Sequence, residues 1–194
     1  MKLWHAAVAV VALTGCAVVG TAEDKKMNPL EYKLKDIDGK EFDLAKLKGK
    51  VVLFVNVATK CGYTNQYEGM QELFTKFEKD GLVVIGVPAN EFGKQEPGTD
   101  EEIKTFCTTK YKVSFPMMSK VVVKGEGQIP LYKTLVAATP NKDGKVEQVG
   151  WNFEKFLIGR DGKVAGRFKS AVAPNSEELI KAIKAELDKT APAK

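Results

Sequence analysis

Two runs of consecutive apolar residues dominate the hydrophobic pattern of the chain. Val51–Val57 and Leu82–Val87 are rich in β-branched residues, and only Asn56 interrupts the first run. Continuous apolar runs of this length are typical of strands that are buried on both faces. Between them, Asn65–Lys79 carries apolar residues at helical spacing. A strand, a helix and a second strand in this order predict a βαβ unit with parallel strands.

Shorter elements are predicted before and after this unit. Asp38-Gly39 and Asp161-Gly162 are hairpin signals, and each lies between two short candidate strands. The further predictions are helices over Asp100–Tyr111 and Ser176–Leu187, one or two helical turns over Leu131–Val136, and strands over Val121–Val123, Lys155–Ile158 and Val164–Phe168. No internal repeat or second domain is visible. This layout predicts an α/β protein with a thioredoxin-like fold, in which helices flank a central mixed sheet.

Cys61 lies where the first predicted strand ends and the helix begins. The flexible Gly62 follows it, and Asn65 with Glu68 predicts a variant of the capping box at the helix start. Free backbone N–H groups and the positive end of a helix dipole favour a thiolate at such a position. The alternative is a buried free cysteine that acts as a small hydrophobic residue.

Composition narrows the possible chemistry. The net charge is +5, but the lysines alternate with acidic residues and only two arginines occur, so we expect no nucleic-acid surface. The single histidine, His5, lies in the apparent leader. A mature chain without histidine has no Cys–His pair and no Cys₂His₂ zinc site, and three cysteines are too few for a Cys₄ site. We therefore expect no metal and no cofactor.

The N-terminus has the pattern of an export signal. Lys2 precedes an apolar stretch, Ala6–Leu13, that is too short to span a bilayer, and small residues follow. Leu13-Thr14-Gly15-Cys16 resembles the lipobox of bacterial lipoproteins, in which the cysteine becomes the lipidated N-terminus. This pattern predicts a signal peptide over residues 1–15, a tether over 16–28 and one domain over 29–190. The alternative is an ordinary signal that is cut after Ala22.

The lipoprotein interpretation predicts an exported protein of the bacterial cell envelope, anchored to the membrane and facing the periplasm or the cell exterior. The cysteine count supports this interpretation, because an exported protein with three cysteines has one unpaired thiol. If Cys16 carries lipid, Cys61 and Cys107 remain as a pair.

Four separated stretches of the chain resemble glutathione peroxidases. They are Asn56–Thr64, Phe92–Gly98, Phe115-Pro116 and Trp151–Leu157, and the resemblance covers roughly Pro29–Leu187. The resemblance implies a thioredoxin-like fold and the reduction of hydroperoxides. By match, Cys61 is the peroxidatic residue, and Gln95, Trp151 and Asn152 complete the catalytic tetrad.

Cys107 matches the resolving cysteine of family members that use thioredoxin. The resemblance therefore implies a Cys61–Cys107 disulfide that is recycled by a thioredoxin-like dithiol protein, with glutathione as the other candidate donor. Disulfide geometry requires the Cα atoms within about 7 Å, so we expect the Cys107 helix to open locally. Leu135–Gly150 lacks an obvious assembly segment, and we expect a monomer.

The proposed tetrad can supply enough hydrogen-bond energy to stabilise a thiolate without histidine. Lowering a thiol pKa from about 8.5 to about 6 requires roughly 3.4 kcal/mol of preferential stabilisation of the anion. A helix dipole supplies about 0.3–1 kcal/mol, whereas each hydrogen bond to a charged group supplies about 1.5–3 kcal/mol. The alternatives are Trp151 as a core aromatic residue, Gln95 and Asn152 as turn-binding amides, and Cys107 as an apolar residue of a helix face.

Two other functions are compatible with a thioredoxin-like fold. A thiol–disulfide reductase usually carries Cys-x-x-Cys, but Cys61-Gly62-Tyr63-Thr64 lacks the second cysteine. An exported binding protein such as a copper chaperone usually uses histidine, which the mature chain lacks.

The lipobox interpretation predicts the mature N-terminus. Mass spectrometry of the membrane fraction is expected to find acylated Cys16 as the first residue. A soluble protein that begins at Glu23 would show that the ordinary signal interpretation is correct.

Overall fold

The computed structural model describes residues 28–191, so the predicted signal, the tether and Cys16 lie outside the described residues. Short 3₁₀ segments cover Pro29–Glu31 and Leu44–Leu47. The strands are β1 (Lys33–Lys35), β2 (Glu41–Asp43), β3 (Val51–Val57), β4 (Leu82–Pro88), β5 (Lys155–Ile158) and β6 (Val164–Phe168). The helices are α1 (Gln66–Phe77), α2 (Asp100–Tyr111), α3 (Pro130–Ala137) and α4 (Glu177–Leu187). None of the helices in this part of the chain has the length and hydropathy to cross a bilayer.

The four-stranded sheet has the order β4-β3-β5-β6. β3 pairs in parallel with β4, which confirms the βαβ unit, and antiparallel with β5. β5 and β6 form the predicted hairpin. A separate hairpin joins β1 to β2, as the Asp38-Gly39 signal predicts. The sheet is therefore mixed.

Each face of the sheet has its own hydrophobic core, because successive side chains of β3 point to opposite faces. Val51, Leu53, Val55 and Val57 pack in one core with apolar residues of α1, α2 and α4. Val52 and Phe54 pack in the other core with α3 and with the segment before β3. The sheet is thus covered on both sides, which explains the continuous apolar run of β3.

The short strand predicted over Val121–Val123 is wrong. Val121 donates its N–H to Pro88, and the Val122 carbonyl accepts from Ile129, but no ladder forms. Three β-branched residues favour an extended backbone, and a strand also needs a neighbouring strand with free backbone groups.

The capping box predicted at Asn65 is also wrong. Asn65 has helical dihedral angles and its side chain makes no capping hydrogen bond. The backbone already turns before this residue, because the Thr64 N–H donates to the Cys61 carbonyl. A complete capping box occurs instead at the start of α2, between Thr99 and Glu102.

The topology brings three chain segments to one edge of the sheet. β3 and β4 are parallel, so their carboxyl ends lie at the same edge. β5 is antiparallel to β3, so its amino end lies there too. The residues that follow β3 and β4 and those that precede β5 are therefore neighbours. These segments carry Cys61, Gln95 and the Trp151-Asn152 pair.

Candidate active site

Cys61 is half-buried in a tight turn between β3 and α1. The backbone N–H of Tyr63 donates to Cys61 Sγ at 3.4 Å. The Cys61 N–H donates to Thr64 Oγ1 at 3.0 Å, and that hydroxyl donates to the Ala58 carbonyl at 2.9 Å. Thr64 thus fixes the turn, and the turn directs a backbone donor at the sulfur.

Gln95 and Asn152 are brought into direct contact. Asn152 Nδ2 donates to Gln95 Oε1 at 2.9 Å, and the Gln95 amide nitrogen, also a donor, has no acceptor among residues 28–191. The Lys60 N–H donates to the Gln95 carbonyl at 3.0 Å and joins this loop to the residue before Cys61. The two amides therefore bind each other.

Trp151 lies beside the same loop, and its side chain is exposed. The residue is 40% exposed, which excludes a core aromatic role. Its ring lies 5.9 Å from the Phe92 ring, centroid to centroid. A Cβ at Gly93, which has a φ of +64°, would lie 3.7 Å from the indole and 3.6 Å from Gln95 Nε2. The Trp151 and Gln95 side chains therefore approach the same stretch of backbone.

Asn56, the penultimate residue of β3, binds the backbone of the Trp151 segment. Its Nδ2 donates to the Trp151 carbonyl at 2.9 Å, and its own carbonyl accepts from the Phe153 N–H. Asn56 is fully buried, and it is the residue that interrupts the apolar run of β3. Its role does not follow from the sequence alone, although a polar residue inside a buried strand was the available signal.

Cys107 has an environment opposite to that of Cys61. It is a fully buried free thiol on α2, and burial raises its pKa to about 11. The hydroxyl of Tyr67 opposes this shift, and the charge of Glu96 adds to it. Cys107 is therefore a protonated thiol at neutral pH in this conformation.

Glu96 connects the Cys61 loop to the surroundings of Cys107. Its side chain is fully buried, and Oε1 accepts from Thr59 Oγ1 at 2.6 Å. Burial raises the pKa of this carboxyl group, and the Thr59 hydrogen bonds oppose the shift. The burial of Glu96 is not visible in the sequence, because a charged residue in a Gly- and Pro-rich loop predicts exposure.

A glutathione peroxidase family model matches residues 30–136 of the chain. Over 174 residues the chain is 45% identical to the thioredoxin/glutathione peroxidase BtuE of Escherichia coli (strain K12), covering 80% of this chain and 95% of the relative. The chain belongs to the glutathione peroxidase family. This result confirms the family to which the four sequence stretches pointed.

Other glutathione peroxidase relatives agree with this assignment. The chain is 47% identical over 159 residues to the hydroperoxy fatty acid reductase Gpx2 of Synechocystis sp., covering 82% of this chain and 99% of the relative. A crystal structure of Trgpx in its apo form matches with a TM-score of 0.69 at 39% identity, covering 86% of this chain and 99% of the other. The thioredoxin-like fold is confirmed, and the chain is a peroxidase of the oxidoreductase class.

The roles of individual residues remain predictions from the resemblance and the geometry. Within residues 28–191, no group of three or more His, Cys, Asp or Glu residues could hold a metal ion. Cys16 and the predicted leader lie outside the described residues. The predicted domain limits therefore stay predictions.

The amide donors yield a first prediction. Gln95→Ala removes a neutral donor next to the Cys61 turn, and a hydrogen bond to a charged group contributes about 1.5–3 kcal/mol. The rate of Cys61 alkylation at neutral pH is therefore expected to fall by about tenfold to a hundredfold at 1.36 kcal/mol per factor of ten, and Trp151→Phe is expected to act in the same direction. The measurement is the rate of Cys61 alkylation by iodoacetamide at one fixed neutral pH.

Gln148→Ala is the matched control, because Gln148 is an exposed glutamine and its recorded hydrogen bond uses the backbone carbonyl, which the substitution keeps. It is expected to leave the alkylation rate unchanged. A Gln95→Ala protein that is alkylated at the wild-type rate would show that this amide does not stabilise the thiolate.

Lys155 yields a second prediction, on the pH dependence of stability. Its side chain is fully buried, and burial lowers its pKa from 10.5 to about 7, with a smaller opposing effect of Glu154. Between these two pH values the unfolded state binds more protons, so the folded state gains stability as the pH rises. Relative to Lys155→Met, wild type should gain about 1.4 kcal/mol of unfolding free energy per pH unit from about 7 to 10.

Denaturant unfolding at a series of pH values measures this difference. Lys163→Met is the control, because Lys163 is an exposed lysine on the turn between β5 and β6, with 85% of its side chain accessible. That variant is expected to follow the wild-type curve. A constant difference between wild type and Lys155→Met across the range would contradict a buried, neutral amine.

Proposed function

We propose that the protein is a thiol peroxidase that reduces hydrogen peroxide and organic hydroperoxides, including lipid hydroperoxides, at Cys61. The observation that carries this proposal is the half-buried Cys61 thiol, which receives a backbone N–H at the sheet edge where the Gln95–Asn152 pair and Trp151 also lie. This arrangement supplies a nucleophile and neutral donors.

The reaction follows from the chemistry of a thiolate. Cys61 Sγ attacks one peroxide oxygen and the O–O bond breaks, which leaves Cys61 as a sulfenic acid. The second oxygen leaves as water or an alcohol after it takes up a proton. Neutral donors such as the Gln95 amide and the Trp151 indole stabilise first the thiolate and then the departing oxygen anion. Cys61 accordingly needs no histidine.

The reductant that we propose is a thioredoxin-like dithiol protein. The Escherichia coli relative is named for thioredoxin and glutathione, and the Synechocystis relative for hydroperoxy fatty acids. A dithiol protein reduces a disulfide through a mixed disulfide, so it suits an enzyme whose cycle passes through an internal disulfide. Glutathione is the other candidate donor.

Cys107 is proposed to resolve the sulfenic acid. Its thiol sulfur attacks the Cys61 sulfur, the S–S bond forms, and the hydroxyl leaves with the thiol proton as water. Because Cys107 is fully buried in α2, this step requires local opening of the helix. Thr108 Oγ1 and Thr109 Oγ1 already donate to carbonyls of the preceding turn, at 2.9 and 2.6 Å, and such bonds slightly destabilise a helix.

The proposed location follows from the sequence of the leader. We propose an exported, monomeric protein that lipid on Cys16 anchors to the membrane of the cell envelope. The supporting observations are the apolar stretch, Ala6–Leu13, and the lipobox-like sequence Leu13-Thr14-Gly15-Cys16. A short tether would then keep the peroxidase domain close to the lipid surface.

The test of the proposed nucleophile is Cys61→Ser. A hydroxyl has a pKa too high to supply an anion at neutral pH, so turnover of peroxide with a dithiol reductant is expected to fall to the uncatalysed rate. More than a trace of remaining turnover would remove Cys61 from this role.

The proposed resolving thiol predicts a separate behaviour for Cys107→Ser. The first reaction, one thiol oxidised per peroxide, is expected to persist, while turnover with a thioredoxin-like donor collapses. Intact mass should show oxygen added to Cys61, because its sulfenic acid has no partner thiol and is oxidised further. Normal turnover of this variant with thioredoxin would make Cys107 a core residue, and the reductant would then attack Cys61 directly.

A further inference from the structure

A buried amine lies directly beneath the candidate active site. Lys155 is the first residue of β5, and its side chain is fully buried. Its Nζ donates to Gln66 Oε1 at 2.7 Å and to the Phe153 carbonyl at 2.8 Å. The carboxylate of the adjacent Glu154 binds Arg167 instead. Within residues 28–191, Lys155 forms no ion pair, so both of its hydrogen-bond partners are neutral oxygens.

The two hydrogen bonds match the neutral form of the amine. A neutral amine has two N–H donors, and both are used here, whereas an ammonium group would bury a third donor and a charge. Burial lowers the pKa of Lys155 to about 7, in agreement with this geometry. An unbranched apolar side chain of similar length would fill the same space without this desolvation cost. The amine therefore calls for an explanation other than packing.

One of its hydrogen bonds leads to the Cys61 sulfur. Gln66 is the first residue of α1, and its backbone N–H donates to the Tyr63 carbonyl at 2.9 Å. The N–H of Tyr63 is in turn the donor to Cys61 Sγ. The amine of Lys155 thus holds the side chain of Gln66. The backbone N–H of Gln66 binds Tyr63, and Tyr63 donates to the Cys61 sulfur.

The other hydrogen bond of Lys155 leads to the turn that carries Trp151 and Asn152. Phe153 has a φ of +61°, which a residue with a Cβ rarely adopts and which must be held by its surroundings. It directly follows Trp151 and Asn152, and Asn152 donates to Gln95. Asn56 binds the backbone of this turn on one side, and Lys155 binds the Phe153 carbonyl on the other.

We propose that Lys155 is a positioning residue of the peroxide site. Its amine joins the start of α1 to the Trp151–Phe153 turn and so fixes the Tyr63 N–H and the Asn152 amide relative to each other around Cys61. Lys155 does not touch the peroxide, and it acts through Gln66 and Phe153. This inference rests on the proposed function, because it requires Cys61 to be the reacting thiol.

The test compares the rate of Cys61 oxidation in Lys155→Met and wild type. The reduced full-length chain is mixed with hydrogen peroxide in a single turnover, at a pH where circular dichroism shows both proteins to be folded. Misplacement of a reacting group by about 1 Å reduces rates by up to about a hundredfold, so we expect a loss of about tenfold to a hundredfold. The rate of Cys61 alkylation by iodoacetamide at one fixed pH is expected to fall as well. Lys163→Met is expected to match wild type in both measurements.

A second variant separates a bridge from general damage to the fold. Gln66→Leu removes the α1 end of the bridge and leaves the bond from Lys155 to Phe153. If the two residues act as one bridge, the double variant is expected to be no slower than the slower single variant, because coupled residues are not additive. A rate loss in the double variant that equals the product of the two single losses would overturn the bridge.

The remaining outcomes are also decisive. A folded Lys155→Met protein that oxidises Cys61 within twofold of the wild-type rate overturns the inference. If Lys155→Met does not fold, Gln66→Leu alone carries the test, and a wild-type rate in that variant overturns the inference. Cys61→Ser distinguishes the two levels of the proposal. Continued reaction of that variant with peroxide contradicts the proposed function. A rate within twofold of wild type in Lys155→Met contradicts only the proposed bridge.

Discussion

The antiparallel pairing of β5 with β3 is the constraint on which the candidate site depends. The register sets Val55 opposite Lys155, so the turn before β5 lies over the end of β3. Asn56 of β3 can then bind the backbone on both sides of Asn152, and Lys155 can reach α1. A shift of one residue would turn Lys155 and Leu157 to the opposite face of the sheet and separate these groups.

The two thiols occupy environments that suit opposite tasks. Cys61 is half-buried, and a backbone N–H points at its sulfur. Cys107 is fully buried, and burial raises its pKa to about 11, which keeps it protonated at neutral pH. If Cys107 resolves the Cys61 sulfenic acid, as proposed, α2 must open locally in every cycle.

The sequence predicted the elements with strong local patterns and missed features that depend on distant partners. β3, β4 and α1 follow from long apolar runs and helical spacing, but Val121–Val123 forms no strand because no neighbouring strand offers a ladder. The tetrad was predicted as a set only through the family resemblance. Asn56 and Lys155 were missed because their partners are remote, such as the Trp151 carbonyl 95 residues from Asn56. A polar residue within an apolar strand was the only local signal for Asn56.

The most direct measurement is peptide mapping by mass spectrometry after the reduced protein meets one equivalent of hydrogen peroxide. If Cys61 reacts and Cys107 resolves it, the peptides that contain these two residues are recovered as one disulfide-linked species that has lost two hydrogens. Oxygen on Cys61 beside a free Cys107 thiol would contradict the resolving step. An unmodified Cys61 in a protein that has consumed the peroxide would contradict the assignment of the nucleophile.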